Sequence, residues 1–243
     1  MNNSGILYGI SVGTGDRELI TIKGLRLLQE VSVVAFPAGI GEKPGVAEGI
    51  ISSWLKPEQT RLALHFPYIQ DERVLIKAWE KAAQEVWGYL QQGKDVAFAC
   101  EGDVSFYSTF TYLAQTLQQF HPEVVIEMVP GVCSPMAAAS VLGIPLTLRS
   151  QRLAVLPALY SVEDLEQVLS WADVVVLMKV NSVYRQVWEL LEKHQLLEQA
   201  SVVERATLPD QVVYQDLRDR SDLSLSYFSI LIIKVNIEGV NCV

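Results

Sequence analysis

Residues 95–113 read DVAFACEGDVSFYSTFTYL. An apolar run of strand length ends in an acidic turn that contains Gly102, and a segment of helical period begins near Thr109. A buried strand, a turn and a helix in this order are typical of a parallel sheet covered by helices on both faces. Ligands of such sheets bind beyond the carboxyl ends of the strands. We therefore expect Gly102 and Asp103 to lie at a binding site.

The same alternation of strand-sized apolar runs and helical segments extends through the first half of the chain. Predicted strands cover 5–12, 31–37, 61–67, 95–100 and 124–129, and predicted helices cover 18–30, 45–55, 72–92 and 109–119. Strand, helix, strand is the order found in α/β folds.

The second half changes character. Strand-like runs at 152–158, 172–180 and 200–207 alternate with helical segments at 162–169 and 183–194. The last two runs, 211–217 and 227–235, are too close for a helix between them, which predicts antiparallel pairing there and a mixed sheet. The Pro- and Gly-punctuated stretch VPGVCSPMAAASVLGIPL marks a boundary. The sequence thus predicts two α/β domains with mixed sheets, 1–130 and 131–243.

Composition narrows the class of function. The chain has 243 residues, half of them hydrophobic, and a formal net charge of −9. An acidic chain is a poor general partner for nucleic acid or anionic membrane. Its three cysteines and three histidines are scattered without metal-binding or disulfide spacing. Neither a signal peptide nor a membrane-spanning run is evident. We expect a cytoplasmic protein with no metal site.

Several stretches are candidate binding sites, each with a structural alternative. The turn in GISVGTGDRELIT (9–21) could present amides to an anion, or Asp16 could simply cap a helix. In EGDVSFYSTF the polar residues could contact a ligand, or Asp103 or Ser105 could cap the next helix. VPGVCSPMAAA (129–139) could admit a flat ligand or act as a hinge. Met178 alone is more typical of core, and VVERAT (202–207) is ambiguous.

Catalytic machinery of the common kinds is absent from the sequence. It contains no GxSxG nucleophile elbow and no HExxH motif. A reaction that depends on a protein nucleophile or a metal ion therefore gains no support.

Taken together and in order, five stretches resemble the tetrapyrrole methylase family of S-adenosylmethionine-dependent methyltransferases. They are GTGDRELITIKG, EGDVSFYSTF, VPGVCSPMAAASVLGIPLT, VVLMKV and ERATLPDQVV, and they span almost the whole chain. The resemblance implies two α/β domains with the cofactor in a cleft between them, and a homodimer. Further similarity at HFPY (65–68), YSTFTYL, VLMKV and YFSILIIKV implies methylation of carbon 20 of precorrin-2 or cobalt-factor II.

The resemblance also implies roles for individual residues. Those implied to contact S-adenosylmethionine, or the product S-adenosylhomocysteine, are Gly102, Asp103, Phe106, Ser108, Thr109, Cys133, Ser134, Met178, Ala206 and Thr207. Those implied to border the tetrapyrrole are Gly13, Thr14, Gly15, Asp16 and Lys23, and Asp16 is also the one candidate catalytic residue. The sequence departs from the family at Thr14 and Val104, where proline is common.

Two alternatives stay open at this point: a methylase of the same family that acts on another ring carbon, and a non-catalytic module that binds a tetrapyrrole or nucleotide. The substrate implied by the resemblance carries many carboxylates, so a locally basic surface is expected. The candidates for it are Arg17, Lys23, Arg149, Arg152, Lys179 and Arg205.

Overall fold

A computed structural model describes residues 4–39, 44–67, 69, 71–157 and 162–236. Tyr68, the last residue of the HFPY stretch, and Cys242 lie outside the described residues. Contacts divide the chain into two compact units, Met1–Cys133 and Ser134–Val243, here called the N-terminal and C-terminal units. The sequence placed the division after residue 130.

The N-terminal unit alternates strands and helices. Its strands are β1 (Ile6–Ser11), β2 (Val33–Pro37), β3 (Thr60–Leu64), β4 (Val96–Cys100) and β5 (Val125–Val129), and its helices are α1 (Ile22–Glu30), α2 (Val46–Ile51), α3 (Glu72–Leu90) and α4 (Thr109–Phe120). The strand order is β3-β2-β4-β1-β5, and every pairing between these strands is parallel. The mixed pairing expected of both domains is therefore not found in this sheet, because a helical connection follows each of β1 to β4 and returns the chain to the same edge.

Both faces of this sheet are covered. All five residues of β4 are buried. Phe98 packs in a cluster with residues of α3 and α4, whereas Ala97 and Ala99 pack on the opposite side with residues of α1 and α2. Alternate side chains of a strand point to opposite faces, so a strand buried on both faces reads as a continuous apolar run. This is the physical origin of the DVAFAC signal.

The parallel pairing places three strand ends together. β4 and β5 are the two neighbours of β1, with Ser11 opposite Cys100 and Ile10 opposite Val129. The turns that follow these three strands therefore emerge at one edge of the sheet.

The C-terminal unit holds a mixed sheet, as predicted. Its strands are β6 (Leu153–Leu156), β7 (Val174–Met178), β8 (Ala200–Glu204), β9 (Val212–Gln215) and β10 (Ser229–Lys234), and its helices are α5 (Ser134–Leu142), α6 (Glu163–Leu169) and α7 (Tyr184–Lys193). The strand order is β6-β7-β10-β8-β9. β6 is parallel to β7, and the other pairings are antiparallel.

One detail of the predicted pairing is wrong. The two last strands, β9 and β10, do not pair with each other, because β8 lies between them. β10 has five buried residues and is the central strand of the sheet. Three of the four residues of β9 are exposed, and β9 is an edge strand. The free energy gained by burying the apolar residues of β10 on both faces of the sheet is larger than the advantage of pairing two strands that are joined by a short connection.

The antiparallel pairing brings another set of turns together. β7 and β8 flank β10 and run in the direction opposite to it, with Met178 opposite Ile230 and Glu204 opposite Ser229. The ends of β7 and β8 and the start of β10 therefore share one edge. Within the described ranges, no helix is long and apolar enough to cross a membrane.

Candidate functional site

The turns after β1 and β4 are joined by backbone hydrogen bonds. The Gly102 amide donates to the Gly13 carbonyl at 2.7 Å, the Gly13 amide donates to Gly102 at 3.4 Å, and the Val12 amide donates to Cys100 at 2.9 Å. Gly13 and Gly102 both have positive φ, 78° and 68°, a conformation that side chains with a Cβ rarely adopt. The backbone conformation itself therefore favours glycine at both positions.

Asp103 ties the β4 turn to the β5 turn. Its carboxylate accepts a hydrogen bond from the Gly131 amide at 2.7 Å and from the Ser105 amide at 2.8 Å, and the Ser105 hydroxyl also donates to it. Only 8% of Asp103 is exposed. Burial raises the pKa of this carboxyl, but the three hydrogen bonds, led by that from the Ser105 hydroxyl, bring the pKa below its ordinary value. Asp103 is therefore a charged anchor for two backbone segments.

The space beside Gly102 is open. A Cβ built on Gly102 would meet only the Cys133 Cα, 4.0 Å away. By contrast, a Cβ on Gly131 would lie 2.5 Å from the Cβ of Ser11. We call the five residues Ser11, Gly13, Gly102, Asp103 and Gly131 the N-terminal strand-end cluster. It is closely packed on the Ser11 side and has room for a ligand beside Gly102.

Helix α4 begins immediately after this cluster. Its N-cap is Ser108, whose hydroxyl accepts from the Phe110 amide at 3.0 Å. The structural alternative considered for the sequence, capping by Asp103 or Ser105, is therefore wrong. The Ser108 hydroxyl is buried and also lies 2.8 Å from the Cys100 Sγ. Of the other implied cofactor contacts here, Phe106 and Thr109 are half-buried.

Cys100 is a buried thiol in surroundings that disfavour a nucleophile. Burial raises the pKa of Cys100 from 9.0 to about 12, which opposes the thiolate form. We predict that iodoacetamide at pH 8.5 labels Cys133, which is half-buried, and leaves Cys100 unmodified until the protein is denatured. Peptide mass spectrometry measures both sites in one sample, with Cys133 as the internal control. Similar labelling rates at the two thiols in native protein would contradict this.

The turn after β1 shows the capping role that the sequence offered for Asp16. Asp16 accepts from the Glu18 amide at 2.8 Å and caps the short 3₁₀ turn Arg17–Leu19, whereas Thr21 caps α1. Asp16 and Lys23 are exposed, and Thr14 and Gly15 are half-buried. The backbone bond between Gly13 and Gly102 places this turn beside the N-terminal strand-end cluster.

The C-terminal unit has its own set of converging turns, residues 178–179, 204–207 and 226–229, called here the C-terminal strand-end cluster. The Arg205 amide donates to Phe228 and the Lys179 amide to Ser229. The buried Glu204 carboxylate accepts from the Ser226 amide at 2.6 Å. Arg205 and Thr207 have positive φ, 51° and 69°, and the Thr207 amide is held by the Gln211 side chain at 2.7 Å. Met178 and Ala206 are buried within this cluster.

The six basic candidates differ in their partners, and two of them lie in the N-terminal unit and four in the C-terminal unit. Arg152 pairs with Asp173 at 3.1 Å and Arg205 with Asp210 at 2.7 Å, so their charges are partly neutralised. The Lys179 ammonium lies 5.1 Å from the centre of the Tyr227 ring. Arg17 donates to the Ser53 hydroxyl at 3.2 Å. Lys23 and Arg149 are exposed. Across the described part of the chain, no group of three or more His, Cys, Asp or Glu residues could hold a metal ion.

Comparison with known proteins identifies the family. The model of the Tetrapyrrole (Corrin/Porphyrin) Methylases matches residues 6–220. The chain belongs to this family. It is 32% identical over 231 residues to the cobalt-precorrin-2 C(20)-methyltransferase of Salmonella typhimurium, and the match covers 95% of this methylase and 96% of that protein.

Solved structures show the same methylase fold. A cobalt precorrin-4 methyltransferase of cobalamin biosynthesis superposes with a TM-score of 0.75 at 23% identity, with 95% of each chain covered. The uroporphyrin-III C-methyltransferase of Thermus thermophilus, in complex with S-adenosylhomocysteine, gives a TM-score of 0.64 at 20% identity and covers 94% of this methylase and 97% of that chain.

The structure adds residues that the sequence did not single out in this methylase. Ser11 and Glu204 each hold a turn of a strand-end cluster through a hydrogen bond to a residue distant in sequence, and Gln211 holds one through an exposed local hydrogen bond. Tyr107, with φ of 51°, turns the chain between Phe106 and the α4 cap. The position of Ser11 at the end of a β-strand was a usable signal, because strand ends carry the site in this fold class.

Proposed function

We propose that this methylase transfers the methyl group of S-adenosylmethionine to carbon 20 of precorrin-2, or of its cobalt-containing form, during assembly of the corrin ring. The observation that carries the proposal is the match to the Salmonella enzyme, which runs through both chains almost completely. It agrees with the activity that the sequence motifs imply.

The N-terminal strand-end cluster fits a cofactor of this kind. Gly102 has no Cβ and faces open space, so a ligand can approach its backbone closely. The neighbouring turns are fixed by backbone hydrogen bonds and by the Asp103 carboxylate rather than by exposed side chains. A binding surface that is already ordered loses little conformational entropy when the ligand binds.

The main task of the protein in this reaction is to hold the methyl donor and the acceptor carbon in the right positions. S-adenosylmethionine supplies an activated methyl group on a sulfonium ion. The residues of the chain have to bind both reactants, hold the acceptor carbon about 3 Å from that methyl group in line with the breaking bond, and exclude water. This agrees with the lack of a nucleophile elbow in the sequence and with the raised pKa of the buried Cys100 thiol.

We assign residue roles on the same basis. The proposed cofactor contacts are Gly102, Phe106, Thr109, Cys133 and Ser134 for the amino-acid and ribose portions, and Met178, Ala206 and Thr207 for the adenine; Asp103 and Ser108, which the resemblance also implies as contacts, are assigned to the same part of the site. The proposed tetrapyrrole contacts are Gly13, Thr14, Gly15, Asp16 and Lys23. For Asp103 and Ser108, the hydrogen bonds within the protein favour a supporting role over direct contact.

The test is a transfer assay with S-adenosylmethionine labelled with ¹³C in the methyl group. The purified protein, incubated with precorrin-2 or its cobalt form, should give a product one methyl group heavier, with the label at carbon 20 by NMR. Label at a different ring carbon would favour another methylase of the family. Binding of S-adenosylhomocysteine and of the tetrapyrrole without any transfer would favour the non-catalytic module.

We also propose that the protein acts in the cytoplasm as a homodimer without a nucleic-acid partner. The net charge of −9 supports the last point, because it disfavours binding to polyanions. Light scattering should give twice the mass of one chain, and a monomer at micromolar concentration would reject the dimer.

A further inference from the structure

One buried hydroxyl links three strand ends in the N-terminal unit. Ser11, the last residue of β1, has no exposed surface. Its Oγ donates to the Val129 carbonyl at 2.7 Å and accepts from the Val104 amide at 2.8 Å. These partners are 118 and 93 residues away along the chain. The single donor of the hydroxyl and one of its acceptor sites are therefore both used.

The surroundings of this hydroxyl are closely packed and shielded from water. On one side, the absent Cβ of Gly131 would lie only 2.5 Å from the Ser11 Cβ, so the Gly131 backbone packs directly against it. On the other side, Val104 is 1% exposed. Without Ser11 Oγ, the Val104 amide would be a buried donor without a partner, an arrangement that native structures avoid.

The hydrogen bonds of the Ser11 hydroxyl lie beside the hydrogen bond between Asp103 and Gly131. Asp103 joins the β4 turn to the β5 turn through the Gly131 amide, and Ser11 joins the same two turns through Val104 and Val129. The turn that begins at Gly102 is thus held at two successive residues, 103 and 104.

We propose that Ser11 is a positioning residue for binding of the methyl donor. Its hydroxyl fixes the Val104 amide, and with it the backbone of the turn that carries Gly102. The inference rests on the proposed function, since it takes the space beside Gly102 as the place of the donor. Ser11 itself is fully buried and contacts no ligand.

Val104 offers a sharp test, because its backbone amide is the group that donates to the Ser11 hydroxyl. Proline has no amide hydrogen, so Val104→Pro removes the group that Ser11 satisfies while leaving the hydroxyl in place. Removal of the Ser11 hydroxyl should then have a much smaller effect on donor affinity. The only partner it leaves behind is the Val129 carbonyl, which tolerates the loss of a hydrogen bond better than a buried amide does.

The experiment is a double-mutant cycle on the full chain. Calorimetry gives the Kd of S-adenosylhomocysteine for wild type, S11A, V104P and S11A/V104P, at a temperature where all four are folded. We expect S11A to raise Kd by about tenfold in the wild-type background, from the loss of one buried hydrogen bond, and by less than about threefold in the V104P background. In steady state, KM for S-adenosylmethionine should rise while KM for the tetrapyrrole stays unchanged.

A matched control separates positioning from general stability. Gln59 is 8% exposed and also bridges two distant backbone groups, the Leu28 and Val31 carbonyls at 2.8 and 2.7 Å. It lies away from the strand-end cluster, just before β3. Gln59→Ala should lower the thermal midpoint and leave the Kd of S-adenosylhomocysteine unchanged.

Each outcome decides a separate point. Wild type that does not bind S-adenosylhomocysteine rejects the proposed function, whereas S11A that binds as well as wild type rejects only the role of Ser11. An S11A effect of equal size in both backgrounds also rejects it, because the Val104 amide would then be irrelevant. If S11A or V104P does not fold, Ser11→Cys alone replaces the cycle. It must raise the Kd of S-adenosylhomocysteine and speed hydrogen exchange of the Val104 amide relative to wild type, and an unchanged Kd rejects the role of Ser11.

Discussion

Asp103→Ala should raise the Kd of S-adenosylhomocysteine by about 10- to 100-fold, since leaving buried charge-assisted donors unpaired costs about 1–3 kcal/mol. The Asp103 carboxylate holds the amides of Gly131 and Ser105. Without it, the two turns sample several arrangements, and the donor binds only to the ordered one. The apparent Kd then equals the intrinsic Kd divided by the fraction of molecules in which the turns are ordered. Calorimetry measures the Kd, and methyl transfer should fall in parallel at subsaturating donor.

Asp95→Ala is the matched control for this substitution. The Asp95 carboxylate also accepts from a distant amide of the same sheet, that of Ile6, at 2.8 Å. Ile6 begins β1 and Asp95 precedes β4, so this bond lies at the opposite edge of the sheet from Asp103. Asp95→Ala should lower stability without weakening donor binding. Equal donor affinity in Asp103→Ala and wild type would contradict the assignment of this edge as the donor site.

Much of the fold follows from local patterns in the sequence. Helix α3 was predicted at 72–92 and spans Glu72–Leu90, because its amphipathic period is long and its N-cap is the aspartate at position 71. The order of β9 and β10 was not predictable in this way. It depends on which strand buries more apolar surface against β8, and that is a competition between distant segments.

In the candidate site, too, some features follow from local sequence and others depend on contacts between distant segments. Parallel strands end at one edge, so the sequence could predict that the turns containing Gly102 and Asp103 form a site. It could not predict that Ser11 would meet Val104 and Val129, because nothing local marks which buried amide lacks a partner. Positive φ at Tyr107, Arg205 and Thr207 was equally hidden, since these residues rarely adopt it and only tertiary contacts impose it.

Gly102→Ala should weaken donor binding more than it weakens the fold. Alanine at φ of 68° costs about 1–2 kcal/mol of backbone strain. The new methyl group meets no protein atom closer than the Cys133 Cα at 4.0 Å, so no steric cost within the protein is added. The methyl group instead occupies the open space assigned to the donor. We expect the Kd of S-adenosylhomocysteine to rise by about 100-fold or more, because close-packed atoms cannot share that volume.

Gly143→Ala is the matched control, because it introduces the same backbone strain and should leave donor affinity unchanged. Gly143 has φ of 67°, and a Cβ there would meet nothing within 4 Å. It follows helix α5 in the C-terminal unit and belongs to neither strand-end cluster. The two alanine variants should therefore lose similar free energy of unfolding, measured by urea denaturation, while only Gly102→Ala loses donor affinity. If both bind S-adenosylhomocysteine as wild type does, the space beside Gly102 is not where the donor lies, and the strain at Gly102 serves the backbone alone.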